Sequence, residues 1–135
     1  MDTEITDLFK TYDAFWNQRA TESYCALFLE EATALFFMLD GNKTELNGRA
    51  ELLEFYIAQF QKLQSQPSIQ HNTNITRTQI ASPQLALADG EAVITGENAE
   101  GTIAVRRKWA VAFVLQKTDA GWRILSLRAY DLPLG

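Results

Sequence analysis

From Ser68 to Asp131 apolar and polar residues alternate at a period of 2, and three turn signals cut that stretch into strand-length pieces. The turns fall at Ser82-Pro83, Asn98–Gly101 and Asp119-Ala120-Gly121, which predicts strands over about 69–80, 84–96, 102–117 and 122–131. Long strands joined by turns this short pair antiparallel, and a meander of that length needs the rest of the chain to cover it. Asp89-Gly90 is placed to kink or split the second strand.

The covering elements come first. Ile5, Leu8, Phe9, Tyr12, Phe15 and Trp16 recur at the 3–4 spacing of an amphipathic helix. Asp2 or Thr3 supplies its cap, Glu4 and Asp7 suit its positive end, and Asn17-Gln18-Arg19 ends it. Thr21 caps a second, short helix that carries Tyr24, Leu27 and Phe28 and stops at Glu30-Glu31. Ala32–Leu39 is dense, apolar and β-prone, and the turn Asp40-Gly41-Asn42-Lys43 folds it back onto a return strand at Thr44–Leu46. Asn47 caps a third helix with Leu52, Leu53, Tyr56, Phe60 and Leu63 on one stripe, and a Gln-rich surface loop, Gln59–Gln70, follows with Pro67 in it. Three helices and a meander predict one α+β domain over residues 1–135.

Charge and residue usage remove whole classes of function. A net charge of −5 leaves no clustered Lys and Arg for a phosphate backbone, so no nucleic-acid partner is expected. No apolar run approaches the roughly 18 residues of a membrane span. The start, Met1-Asp2-Thr3-Glu4, is acidic where a secretion signal is basic and then apolar, so a cytoplasmic location is expected. With one cysteine (Cys25) and one histidine (His71) the chain forms no internal disulfide and no Cys/His zinc site. Without a Gly-rich phosphate loop, a G-x-S-x-G elbow or a metal-ligand cluster, neither cofactor nor metal is expected.

One strand breaks the alternation. In Trp109–Leu115 both sets of residues are apolar, Trp109, Val111, Phe113 and Leu115 on one face and Ala110, Ala112 and Val114 on the other. Both sheet faces are therefore covered, and three helices cover one. The bulky face is expected to meet a second copy, making a homodimer.

Phe28-Leu29-Glu30-Glu31-Ala32-Thr33 with Asn47-Gly48-Arg49-Ala50-Glu51, then Asp89-Gly90-Glu91-Ala92-Val93 and Asp119-Ala120-Gly121-Trp122-Arg123-Ile124, together resemble the NTF2-like superfamily. The likeness is to its SnoaL-like and ketosteroid-isomerase-like branches and spans Leu8 to Leu132. It implies a cone in which a strongly curved, mixed and mainly antiparallel sheet wraps three helices around a pocket. It also implies a dimer through the outer sheet face. Fold alone does not decide function, because the superfamily holds isomerases, dehydratases, cyclases, epoxide hydrolases and binding modules without chemistry.

The isomerase branch, whose carboxylate base and protonated acid serve as a general illustration of tuned pKa values, implies Tyr12 as oxyanion donor and Tyr56 as its support. It also implies Phe36 and Ala110 at its two acid positions, so no isomerase of that kind is expected. The dehydratase branch pairs a histidine with an aspartate near the end of the first helix. His71-Asn72-Thr73-Asn74 resembles its histidine phrase, but Gln70 aligns with the histidine, and Asn17 stands where the aspartate belongs. A one-residue slip turns a strand side chain to the other face, and a bulge would return His71 to the pocket.

A third candidate is Asp131, which the resemblance turns inward with Leu127 and Ala129, leaving Arg128 and Tyr130 outside. Lys108 shares the inward parity of Ala110 and would partner it. The expected pocket wall is Tyr12, Trp16, Phe36, Met38, Tyr56, Lys108, Ala110, Leu127 and Asp131, with Asp131, Tyr12 and His71 as candidate catalytic groups. Each has a plainer reading: core packing for Tyr12, Trp16 and Cys25, a hydrogen-bonded structural histidine, a surface acid, and a solvated strand start at Arg106-Arg107-Lys108. Three functions stay open: a binder of a small hydrophobic molecule, an isomerase, cyclase or dehydratase using Asp131 or His71 with Tyr12, and a dimerisation module with a filled cone.

Overall fold

The structure, a computed structural model, describes residues 3–134. Its elements run α1 (Thr3–Asn17), α2 (Thr21–Cys25), β1 (Phe28–Phe37), β2 (Lys43–Asn47), α3 (Arg49–Leu63), β3 (Gln70–Ser82), β4 (Leu85–Glu97), β5 (Ile103–Thr118) and β6 (Gly121–Asp131). One mixed sheet has the order β2-β1-β6-β5-β4-β3. All neighbours pair antiparallel except β1 and β6, which are parallel. This is the α+β architecture the sequence predicts, with the meander strands within about two residues of their expected bounds.

The core lies between the helices and one face of the sheet. Ile5, Leu8, Phe9, Tyr12 and Trp16 form the buried stripe of α1, and Leu52, Tyr56 and Phe60 that of α3. Phe9 meets Phe113 at 4.7 Å between ring centroids, and Trp16 meets Phe60 edge-on at 5.5 Å. β4 runs unbroken through Asp89-Gly90, and the irregularity falls instead on β3, where Thr76 drops out of the register between Ile75↔Gly90 and Arg77↔Asp89. Gly90 permits this close approach, since a Cβ there would stand 2.0 Å from the Asn74 carbonyl oxygen.

Some local expectations need correction. α2 ends at Cys25, because the Leu27 carbonyl accepts from Ile124 N–H (2.8 Å) and Phe28 already pairs with β6. The cap expected of Asp2 lies outside the described residues; Thr3 and Thr21 are the first residues of their helices, and no side chain caps α2. Gly48, at φ 91°, precedes α3 in place of an Asn47 cap, and Glu51 reaches back to accept the Asn47 backbone N–H at 2.9 Å. Gln59–Leu63 is helix, not loop, because Phe60 packs on the same buried stripe as Tyr56.

The largest correction concerns which way β5 faces. Trp109, Val111, Phe113 and Leu115 all point inward and are buried under the helices, so they are not a dimer surface. Ala110, Ala112 and Val114 form the outer, half-buried row. Volume is the reason, since the space under the helices takes the bulky row. A bulge on β6 then sets which residues stand opposite. The ladder runs Leu115↔Ile124 and then Val114↔Ser126, leaving Leu125 unpaired. That extra residue leaves β5 as it is and turns β6 beyond Ile124, so that Leu127, Ala129 and Asp131 lie on the same side as their partners Phe113, Val111 and Trp109. Small residues went to the open face and large ones to the space needing volume.

Candidate functional site

A cavity of about 280 Å³ opens between α1, α3 and the inner sheet face. Its wall is mainly apolar and aromatic, with Tyr12, Trp16, Phe36, Met38, Tyr56 and Leu127 among the lining residues. Lys108 and Ala110 do not line it, having turned to the outer face, and Asp131 lies beside it without lining it. Phe36 lies 5.9 Å from Phe55 and 5.7 Å from Trp109 between ring centroids, so the position expected of an isomerase base is an apolar wall. The inward neighbours of Ala110 are Trp109 and Val111, so β5 supplies no carboxylate there either.

His71 faces this cavity and Gln70 is exposed on the opposite side of β3. The aspartate held absent from the chain's first helix is present one turn earlier than Asn17. Asp13 Oδ1 lies 2.8 Å from His71 Nδ1, with the imidazole only 8% exposed. Helical geometry puts Asp13 and Asn17, four residues apart, on one side of α1 next to the Tyr12/Trp16 stripe. That side lies against β3, an outermost strand of the sheet whose outward backbone groups need partners. Asp13 accepts from the Thr73 N–H (2.7 Å) and hydroxyl (2.8 Å). Asn17 accepts the His71 N–H (2.7 Å) and donates to the His71 carbonyl (3.1 Å). The imidazole is thus held by its backbone, by Asp13 on Nδ1, and by the Trp16 ring 4.9 Å away at 31°. The Asp13 contact assigns the proton to Nδ1 and leaves Nε2 as the basic nitrogen.

Beside the dyad, three tyrosine hydroxyls meet. Tyr24 Oη donates to Tyr12 Oη at 2.7 Å and lies 3.4 Å from Tyr56 Oη. Burial raises the pKa of all three, so each stays a neutral donor. Tyr12 and Tyr56 line the cavity, and the Tyr12 ring stands 5.8 Å from His71. On the opposite flank Arg107 lines the wall and Asp131, its side chain 11% exposed, holds the guanidinium Nε at 3.7 Å. Asp131 therefore pairs with Arg107 and not with Lys108 or Tyr12. Burial raises the Cys25 thiol to about 11, and it lies buried on α2 away from the cavity wall.

The sequence pattern of the family described as SnoaL-like domain matches residues 2–128. The chain belongs to the SnoaL-like domain family. Solved structures agree with the NTF2-like likeness read from the sequence. An NTF2-like protein with a cystatin-like fold from Novosphingobium aromaticivorans superposes with a TM-score of 0.79 at 19% identity, covering 98% of this chain and 82% of that one. A domain of unknown function with the same fold from Nostoc punctiforme gives 0.71 at 25%, covering 98% and 78%. A ketosteroid isomerase-like protein from Erwinia carotovora atroseptica gives 0.70 at 17%, covering 97% and 95%. No curated protein matches the chain. Among the described residues, no helix is long and apolar enough to cross a membrane.

Asp13, Tyr24 and Arg107 are the site groups that sequence reasoning missed. Asp13 and Asn17 had a signal in their four-residue spacing along the helix. Arg107 had none, because its facing depends on the strand parity.

Proposed function

We propose that this SnoaL-like domain is an acid–base enzyme that moves a proton on a small, mostly apolar carbonyl compound. The observation that carries the reading is the Asp13–His71 pair on the cavity wall. In this reading His71 Nε2 takes a proton from the carbon beside the carbonyl, and Asp13 steadies the imidazolium that forms. The Tyr12 hydroxyl, which already accepts from Tyr24, keeps its own proton to donate to the enolate oxygen. With a hydroxyl on the β-carbon, the imidazolium returns the proton to the departing oxygen, and water leaves as the double bond forms. With a β,γ-double bond in place of that hydroxyl, the imidazolium returns the proton to the γ-carbon of the dienolate, and the product is the conjugated isomer.

The test is a panel of compact apolar ketones and β-hydroxy ketones, including α-tetralone, followed by proton NMR in D₂O. The protein should accelerate deuterium entry at the α-carbon, or loss of water, and His71→Asn should remove about 10²-fold or more of that rate. Panel members that bind while none exchanges or dehydrates above the buffer rate would instead leave a SnoaL-like binder of apolar molecules. We also propose that the domain works as a homodimer through its outer sheet face, the small-residue row of Ala110, Ala112 and Val114 flanked by the exposed Leu87 and Tyr130.

A further inference from the structure

We infer that the molecule this cavity takes is a monoanion, with a carboxylate held by Arg107 and an apolar body among the aromatic side chains. The inference rests on the cavity being a small-molecule site, as the acid–base reading does, but not on turnover. Arg107 is the one side chain with a permanent charge among the lining residues. Its guanidinium lies over the Trp109 ring at 5.0 Å, and its Nε stands 3.7 Å from Asp131. Among the described residues no acceptor reaches hydrogen-bond distance of it. The other inward- or loop-packed arginines are satisfied: Arg19 donates to the Gln66 and Ile69 carbonyls and Arg49 to the Phe28 carbonyl. A guanidinium steered by an aromatic face and an acid on its Nε side keeps its outer N–H pair open, which is the geometry that receives a planar carboxylate.

Its place relative to His71 fits one ligand touching both. Ile94 pairs with His71 on β3 and with Arg107 on β5, so the three form a row across the inner face. Two strand spacings separate histidine and arginine, roughly 10 Å between their backbones. That is the span of a six-membered ring with a carboxylate, lying between Trp16 beside His71 and Trp109 beneath Arg107. Side-chain exposure of 47% leaves Arg107 at the mouth, where a charged end keeps contact with solvent while the body is buried.

The test compares 4-phenylbutyrate with its neutral amide by titration calorimetry on the wild-type protein and on Arg107→Gln, with melting curves confirming that the variant is folded. The carboxylate should bind wild type at least 10-fold more tightly than the amide, and the preference should shrink with added salt. Arg107→Gln should remove the preference and leave amide binding unchanged. Equal binding of the two by wild type, or an equal loss of both in the variant, overturns the inference and leaves the acid–base reading standing. Failure of both compounds to bind at millimolar concentration overturns the ligand site itself, and both readings with it.

Discussion

Three tyrosine hydroxyls and a thiol are buried in this molecule, and burial is the largest influence on each of them, which has a consequence for stability in alkali. Tyr12, Tyr24 and Tyr56 each have a pKa raised above 10.0 by burial, and Cys25 rises from 9.0 to about 11. In the unfolded chain they ionise at their ordinary values, so above pH 9 to 10 the unfolded state holds fewer protons than the native one. Stability is then full below about pH 9 and falls as pH rises further, by up to about 1.4 kcal/mol per pH unit for each tyrosine. Urea midpoints measured from pH 8 to 11 should show that decline, and Tyr24→Phe should make it shallower. A flat profile would mean that these hydroxyls reach solvent in the native state. At the same scale, Asp13 fixes one nitrogen of His71, whose ring lines the cavity.

Among the elements, β3 and β4 show how one glycine shapes a wall. The missing Cβ at Gly90 lets the Asn74 carbonyl approach and Thr76 bulge out, so β3 changes direction beside the dyad. Gly90→Ala puts a methyl group against backbone, which has no flexible end to move aside. It should cost about 1–3 kcal/mol in chemical denaturation and loosen the Asp13–Thr73 contacts two residues further along. An alanine variant of wild-type stability would show that the bulge is not required. Helix α1 acts on the same strand from its free side, where Asp13 and Asn17 take the place of the next strand. The periodicity of α1 announces its buried stripe, whereas the polar flank next to that stripe looks like any solvated surface.

On the scale of the whole molecule, one face of the sheet is filled and the other is open. The inner row of β5 is taken up by the core, so the proposed homodimer would use the outer row of Ala110, Ala112 and Val114, with Leu87 and Tyr130 beside it. Tyr130 stacks on Phe37 at 4.9 Å and 6°, forming a flat apolar plate next to the exposed Arg128. Sedimentation at micromolar concentration should give twice the 15.2 kDa of the chain, and Ala112→Arg should return it to the monomer without changing the cavity. A wild-type monomer would rule out the shared face.

The order of helices and strands, the hairpin at Asp40–Lys43, the aromatic lining from Tyr12, Trp16, Phe36 and Tyr56, and the family are all written locally in the chain. Helical and strand periods, turn residues and short phrases act over a few positions and survive without knowledge of what packs against them. Which face of β5 is inside is not local. Both of its rows are apolar, so only the volume under the helices selects the row of Trp109, Val111, Phe113 and Leu115, and the unpaired Leu125 turns Leu127, Ala129 and Asp131 to that same side. The dyad is not local either. Asp13 and His71 stand 58 residues apart, and their pairing exists because β3 is the outermost strand on its side of the sheet and α1 lies along it. Chain periodicity decided which residues could be buried; the bulge and the strand's free edge decided which of them share a cavity.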